Sequence, residues 1–161
     1  MIVLVRCDDR LIHGQSMTVI VKEYKVNNII VIDAPTASNA ILKTIFQKAV
    51  PSSMTADVFS VDDAIPSIQT AINDDSRTEV LMKSPMDYIE LLKKIKDFPK
   101  TLNVGPQSAR ANTIKVTQAI HILPEEGAAL KEAVSQGALI YFQQVPSQQR
   151  VDWEQVASKF E

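Results

Sequence analysis

Apolar and polar positions along this chain fall in blocks, short apolar runs being followed by stretches with helical spacing. Ile2 to Val5 reads as a buried strand, and a polar loop, Cys7 to Gln15, follows it. The spacing between Ser16 and Tyr24 suits a helix. Ile29 to Ile32 is a second, β-branched strand, ended by Asp33 and the turn-forming Ala34-Pro35. A helix is predicted from Ser38 to Val50, with Ile41, Leu42, Ile45, Phe46 and Ala49 on one apolar stripe, and Pro51-Ser52-Ser53 stops it. Met54 to Ser60 alternates like a strand. The next helix, capped by Asp62 or a neighbour, runs through Ile72 and tolerates Pro66 only in its first turn. Val80 to Met82 is a strand, and Ser84-Pro85 opens a helix to Lys96 as N-cap and first helical residue. Leu102 to Gly105 and Ala119 to Leu123 are strands, and Pro124 to Gln136 is a helix stopped at Gly137. Leu139 to Val145 is the last strand, and Asp152 caps a terminal helix reaching Phe160.

The pattern amounts to about seven strands and six helices in near-strict alternation. Strands that read as continuous apolar runs belong to parallel sheets buried on both faces. The expected fold is therefore α/β: a single-domain open three-layer sandwich over residues 1–161, with a mostly parallel central sheet and helices on both faces. Ligands meet such sheets at the carboxyl ends of the strands.

Composition narrows the function. Lys and Arg total 17 against 19 Asp and Glu, a formal net charge of −2, which does not suit a basic nucleic-acid binder. Hydrophobic residues make up 45%, too many for a disordered chain. The glycines Gly14, Gly105, Gly127 and Gly137 match neither a dinucleotide fingerprint nor a Walker loop, and no Gly-x-Ser-x-Gly elbow exists. A lone cysteine, Cys7, excludes an internal disulfide and any Cys-x-x-Cys motif. The apolar start Met1 to Val5 is interrupted by Arg6, too early for a signal peptide, and no apolar run reaches the ~18 residues of a membrane span. A cytoplasmic protein is expected, with any membrane connection made through partners.

The residues able to do chemistry gather in the loop after the first strand, Cys7-Asp8-Asp9-Arg10-Leu11-Ile12-His13-Gly14-Gln15. This loop runs into a helix N-terminus, whose N–H groups favour an anion. His13 can serve there as nucleophile or base, and Arg10 supplies a forked donor matched to phosphate oxygens. For phosphoryl transfer to His13, Asp8 or Asp9 would orient the imidazole through its other nitrogen, and Gly14 and Gln15 would bring backbone close to the phosphoryl group. That chemistry needs no metal or cofactor, and the sequence offers no metal cluster. Asp33, Lys83 and Asn103 fall near strand ends around the same cleft, with capping and loop hydrogen bonding expected for Lys83 and Asn103. A Cys7–His13 nucleophile pair competes with plain packing of Cys7 at a strand end. His121, within Ile120-His121-Ile122, reads as a strand residue. On the residues alone, His13 in a solvated loop with an ordinary ion pair remains an equal alternative.

The stretch from Arg6 through Gln15, especially Asp8-Asp9-Arg10-Leu11-Ile12-His13-Gly14-Gln15, resembles the IIB subunits of the mannose/fructose/sorbose family of the bacterial sugar phosphotransferase system. The likeness continues in Asn28 to Asp33, in Val80 to Asp87 and in Leu102 to Gly105, and so spans essentially the whole chain. The resemblance implies that His13 takes a phosphoryl group from a phosphohistidine on a IIA protein or domain and passes it to a sugar entering through membrane IIC and IID subunits. It implies that Arg10 stabilises the phosphoryl in transit. It also implies an α/β sandwich, attachment to the inner membrane face through IIC and IID, and a homodimer as one assembly open to the chain. A catalytically silent module regulating partners through the same surface is the alternative. The chain departs from the usual pattern at Pro106-Gln107 after Gly105, at Ala34 after Asp33 and at Ser16-Met17.

Overall fold

The computed structural model describes residues 1–161. Its strands are β1 (Ile2–Cys7), β2 (Asn28–Ile32), β3 (Thr55–Phe59), β4 (Thr78–Met82), β5 (Thr101–Val104), β6 (Ile114–Thr117), β7 (Ile120–Ile122), β8 (Leu139–Phe142) and β9 (Val151–Asp152). The helices are α1 (Val21–Glu23, preceded by a π-helical turn at Ser16–Ile20), α2 (Ala34–Ala37), α3 (Ala40–Lys48), α4 (Val61–Asn73), α5 (Pro85–Lys94), α6 (Pro124–Ser135) and α7 (Trp153–Val156), the last continued by a 3₁₀ turn, Ala157–Phe160.

The central sheet has seven strands in the order β3-β2-β4-β1-β5-β8-β9, parallel except for β9. Its side chains alternate between two cores, as burial on both faces requires. Ile30, Ile32, Val80, Met82, Leu102 and Val104 pack with Ile68 of α4, Leu91 of α5 and Leu130 of α6. Ile29, Val31, Val58 and Leu81 pack on the other face with Val21 of α1 and Leu11. The segment after β1 covers one face and the helix after β4 covers the other. The adjacent carboxyl ends of β1 and β4 therefore form the crevice where such sheets bind ligands.

The sandwich matches the expectation in class, but several elements differ. Ala119–Leu123 does not join the sheet. Its central part, β7, pairs antiparallel with β6, an Ile-Lys-Val-Thr segment that the pattern reading passed over. The seventh sheet strand is instead the two-residue β9, too short to carry any periodicity. The predicted helix over Ser38–Val50 begins at Ala40, because the side chain of Asn39 accepts the N–H groups of Ile41 and Leu42 at 3.1 Å each. Its apolar stripe does not face inward: Ile41 is 74% and Ile45 57% exposed, and only Phe46 packs against the second core. On its sheet-facing side α3 meets Asp57 of β3, which accepts from Gln47 Nε2 at 2.8 Å and pairs with Lys43 Nζ at 3.6 Å.

Ser60, not Asp62, caps α4, its Oγ accepting the N–H of Asp63 at 3.2 Å. Pro66 thus lies inside the helix rather than in the first turn. Asp62 and Pro66 are both exposed, so the carbonyl that loses its donor meets water. Other boundaries follow the local chemistry. Ser84 Oγ accepts from Met86 N at 3.2 Å with Pro85 next to it, and Gly137 at φ +92° ends the helical run after α6. No helix is long and apolar enough to cross a membrane.

Candidate active site

Asp8 is the first residue after β1 and is fully buried. It builds the loop that follows: its Oδ1 accepts the Arg10 N–H at 3.1 Å, and its carbonyl accepts the Leu11 N–H at 2.9 Å. This tight turn holds Leu11 at φ +56°, a conformation that costs a non-glycine residue about 1–2 kcal/mol. Burial of the Leu11 side chain in the core beside Val31 and Leu81 offsets that cost. The turn brings His13 back over Asp8, with Nε2 2.9 Å from Asp8 Oδ2. The His13 backbone is pinned by Ser16, whose Oγ accepts the His13 N–H at 2.9 Å and donates to its carbonyl at 2.8 Å. The imidazole is 18% exposed, reachable from outside but not free to rotate away.

The other expected site residues divide around this pair. The Arg10 side chain is 47% exposed, with Nε 3.5 Å from Asp8 Oδ1, leaving most of its guanidinium to the solvent side. Asp9 turns away: its Oδ2 accepts the Ser108 N–H at 2.7 Å, so of the two adjacent carboxylates only Asp8 orients the ring. Gly14 is exposed, with nothing within 4 Å of where a β-carbon would stand. The fold itself therefore does not demand a glycine at this position. No hydrogen bond within the fold uses the amide N–H of Gly14 or Gln15, and Gln15 Oε1 is buried without a partner. Asp33 ends β2, with β4 between it and β1, and engages Thr36 Oγ1 and Lys83 Nζ (3.4 Å) rather than the His13 loop. Lys83 makes that pair and Asn103 is buried against Arg6. Cys7 packs on the opposite face of the sheet, where burial pushes its thiol well above the ordinary range, so it does not pair with His13. His121 lies in the β6–β7 hairpin, opposite Lys115.

Two buried charged residues on the site's side of the sheet, Arg6 near the end of β1 and Glu79 near the start of β4, were given no role by the sequence reading. Arg6, inside β1, is almost fully buried, and its Nη2 reaches Asp8 Oδ2 at 3.4 Å. A charged residue inside an apolar strand was the available signal. Glu79, on β4 next to β1, is fully buried with neither carboxyl oxygen hydrogen-bonded, and burial raises it to about 7. The fold thus favours the neutral acid. That contribution is fully present below the ordinary glutamate value and is lost as pH rises to about 7. Over this window it is worth on the order of 3 kcal/mol. Glu79→Gln is accordingly expected to raise Tm more at pH 8 than at pH 5. Equal shifts at both pH values, read by calorimetry, would show Glu79 to be ionised in the fold.

A neutral imidazole whose Nε2–H is taken by a carboxylate carries its lone pair on Nδ1. Such a ring can act as a nucleophile, and a nearby arginine can stabilise transferring oxyanions.

Comparison with known proteins places the chain. The family model for the sorbose-subfamily IIB component of the phosphotransferase system matches residues 2–161. A probable phosphotransferase enzyme IIB component of Streptococcus pyogenes is 35% identical over 98% of this chain and 100% of its own length. The mannose-specific EIIAB component of Escherichia coli is 28% identical over 98% of this chain but only 49% of its own length. Among solved structures, the IIB domain of the sorbose permease from Klebsiella pneumoniae superposes with a TM-score of 0.86 at 26% identity, covering 98% of this chain and 94% of that one. With the family model running nearly end to end and the same fold in the sorbose IIB domain, the chain belongs to the mannose/fructose/sorbose family of IIB components, phosphotransferases of the bacterial sugar phosphotransferase system.

Proposed function

We propose that His13 accepts a phosphoryl group from a phosphohistidine on a IIA partner and passes it to a sugar entering the cell through membrane IIC and IID subunits. The observation that carries this reading is the 2.9 Å contact between His13 Nε2 and the buried carboxylate of Asp8, with Arg10 at the same carboxylate. The His13 Nδ1 lone pair attacks phosphorus while the donor nitrogen–phosphorus bond breaks, and the donor ring keeps that electron pair. The phosphorylated imidazole gains positive charge, which Asp8 stabilises through the Nε2–H. In the second step a sugar hydroxyl attacks the phosphorus as the Nδ1–phosphorus bond breaks; Nδ1 keeps that electron pair, the hydroxyl proton passes to solvent, and His13 is left neutral. Charge in both transition states spreads over three equatorial oxygens, which Arg10 is placed to meet. The open space over Gly14 and the unused N–H groups of Gly14 and Gln15 give an incoming phosphoryl room and donors.

The name of the Escherichia coli mannose relative joins A and B in one component, which supports a IIA partner for this chain. A IIB subunit of this kind works on the cytoplasmic side of the membrane, held there by IIC and IID, with residues 1–161 as its single domain and a homodimer compatible with it. The test is intact mass after incubation with phosphoenolpyruvate, the two general phosphotransferase proteins and a cognate IIA. Gain of one acid-labile, base-stable phosphoryl group is expected, and an unmodified mass beside an active IIA would reject the reading.

Arg10→Ala is expected to slow acceptance on the order of 10³-fold. It should move stability by no more than about 0.5 kcal/mol, since the side chain is half exposed and its backbone N–H keeps the turn. A large drop in melting temperature with normal transfer would make Arg10 structural.

A further inference from the structure

Arg6 takes no part in the steps above, yet it is the arginine sealed inside the molecule. From β1 its side chain runs across the sheet toward β5 and the segment after β8. Nη1 donates to Asn103 Oδ1 and to the Gln143 carbonyl (3.4 Å), and Nη2 donates to the Gln144 carbonyl at 2.8 Å. Nη2 also reaches Asp8 Oδ2 at 3.4 Å, the same oxygen that takes His13 Nε2 at 2.9 Å. Gly105 leaves room for the guanidinium: a β-carbon there would stand 2.6 Å from Arg6 Cζ and Nη2. Asn103 in turn donates to the Gln143 carbonyl at 3.2 Å, which fixes the amide that receives Nη1.

We propose that Arg6, braced by Asn103, is a positioning residue for phosphoryl acceptance: it fixes the Asp8 carboxylate in place and limits the tendency of the His13 ring to take up a second proton. A buried ion pair is weak support for stability alone, because well-packed apolar residues often serve as well. What an apolar residue cannot do is set the charge on an oxygen shared with a nucleophilic ring. The charged and titratable groups around that oxygen are few. Arg10 approaches Oδ1 from the loop, Glu79 lies on the neighbouring β4 with unpaired oxygens, Asp9 is turned toward Ser108, and Cys7 faces the opposite core. Arg6 is the buried cation among them, and it draws the Glu79 carboxyl down against the larger effect of burial. Without Arg6 the negative charge of Asp8 is less compensated, and the imidazolium form of His13 is favoured.

The inference rests on His13 being the phosphoryl acceptor, but its titration and tautomer readouts need no phosphoryl donor, so the two can fail separately. The full chain is labelled with ¹⁵N-histidine, and the two imidazoles are told apart with His121→Gln. Arg6→Met is expected to raise the His13 titration midpoint by about one pH unit, with the pH profile of phosphoryl acceptance moving by the same amount. Arg6→Lys recovers more than half of the shift. Asn103→Ala keeps the charge and loses the brace, so the single Nε2–H tautomer gives way to a mixture. Midpoint and tautomer both unmoved in Asn103→Ala, and in Arg6→Met where that variant folds, would overturn the proposal. So would an equal loss of rate at every pH with unchanged titration, which marks a merely structural residue.

Discussion

Replacing His13 with alanine is expected to leave a folded chain that takes up no phosphoryl group. The imidazole has one side-chain hydrogen bond, to Asp8, and is partly exposed. Its removal therefore costs stability on the order of 1 kcal/mol. Asp8 keeps Arg6, the Arg10 N–H and its own turn, so the loop retains its shape. The chemical loss is complete, because no second nucleophile lies within the turn: Cys7 faces the other core and His121 sits in the hairpin. Phosphoryl incorporation, read by intact mass against a thermal melt of the same sample, should fall below detection with Tm shifted by a few degrees at most. A phosphoryl group that survived His13→Ala would move the nucleophile elsewhere in the chain.

Asp8→Asn carries the second large effect and tests the orientation rather than the nucleophile. The amide is nearly isosteric but has a single acceptor oxygen where the carboxylate serves Arg6, Arg10 and His13. If its NH₂ faces His13 Nε2, the ring proton is driven to Nδ1, the atom that must attack. A comparable tautomer fault in a serine-protease triad costs on the order of 10⁴-fold in turnover, and that is the loss expected here. Arg6 would meanwhile lose its buried counter-charge, a change worth about 3–5 kcal/mol when one partner is removed. Stopped-time phosphoryl transfer and urea unfolding separate the two consequences. A variant that transferred normally while losing stability would leave Asp8 as scaffold alone.

How much of this was readable in advance depends on how local each signal is. The parallel strands β2, β4 and β8 show themselves as apolar runs because both of their faces are buried. β9 is two residues long and exists through pairing with β8, which no periodicity announces. The stripe on α3 has the right spacing, but Ile41 and Ile45 face outward while Gln47 and Lys43 meet Asp57 of the edge strand. At the site, the His13 loop stood out because rare residue types crowd the end of the first strand. Choosing Asp8 over Asp9 was harder, although the strand period held the clue: Asp8 keeps the side of Leu4 and Arg6, and Asp9 takes the other. The link from Arg6 to Asn103 spans 97 positions and becomes visible only when β1 and β5 lie side by side.

The left-handed backbone of Leu11, locked by a side chain deep in the core, bears on how the transfer cycle is timed. On the proposed relay from IIA to sugar, a turn anchored in this way is expected to keep its shape as one partner leaves and the next arrives. The expected pace of that relay is then set by the diffusion, encounter and departure of whole molecules. Such rates answer to solvent viscosity and ionic strength rather than to the opening of a flap.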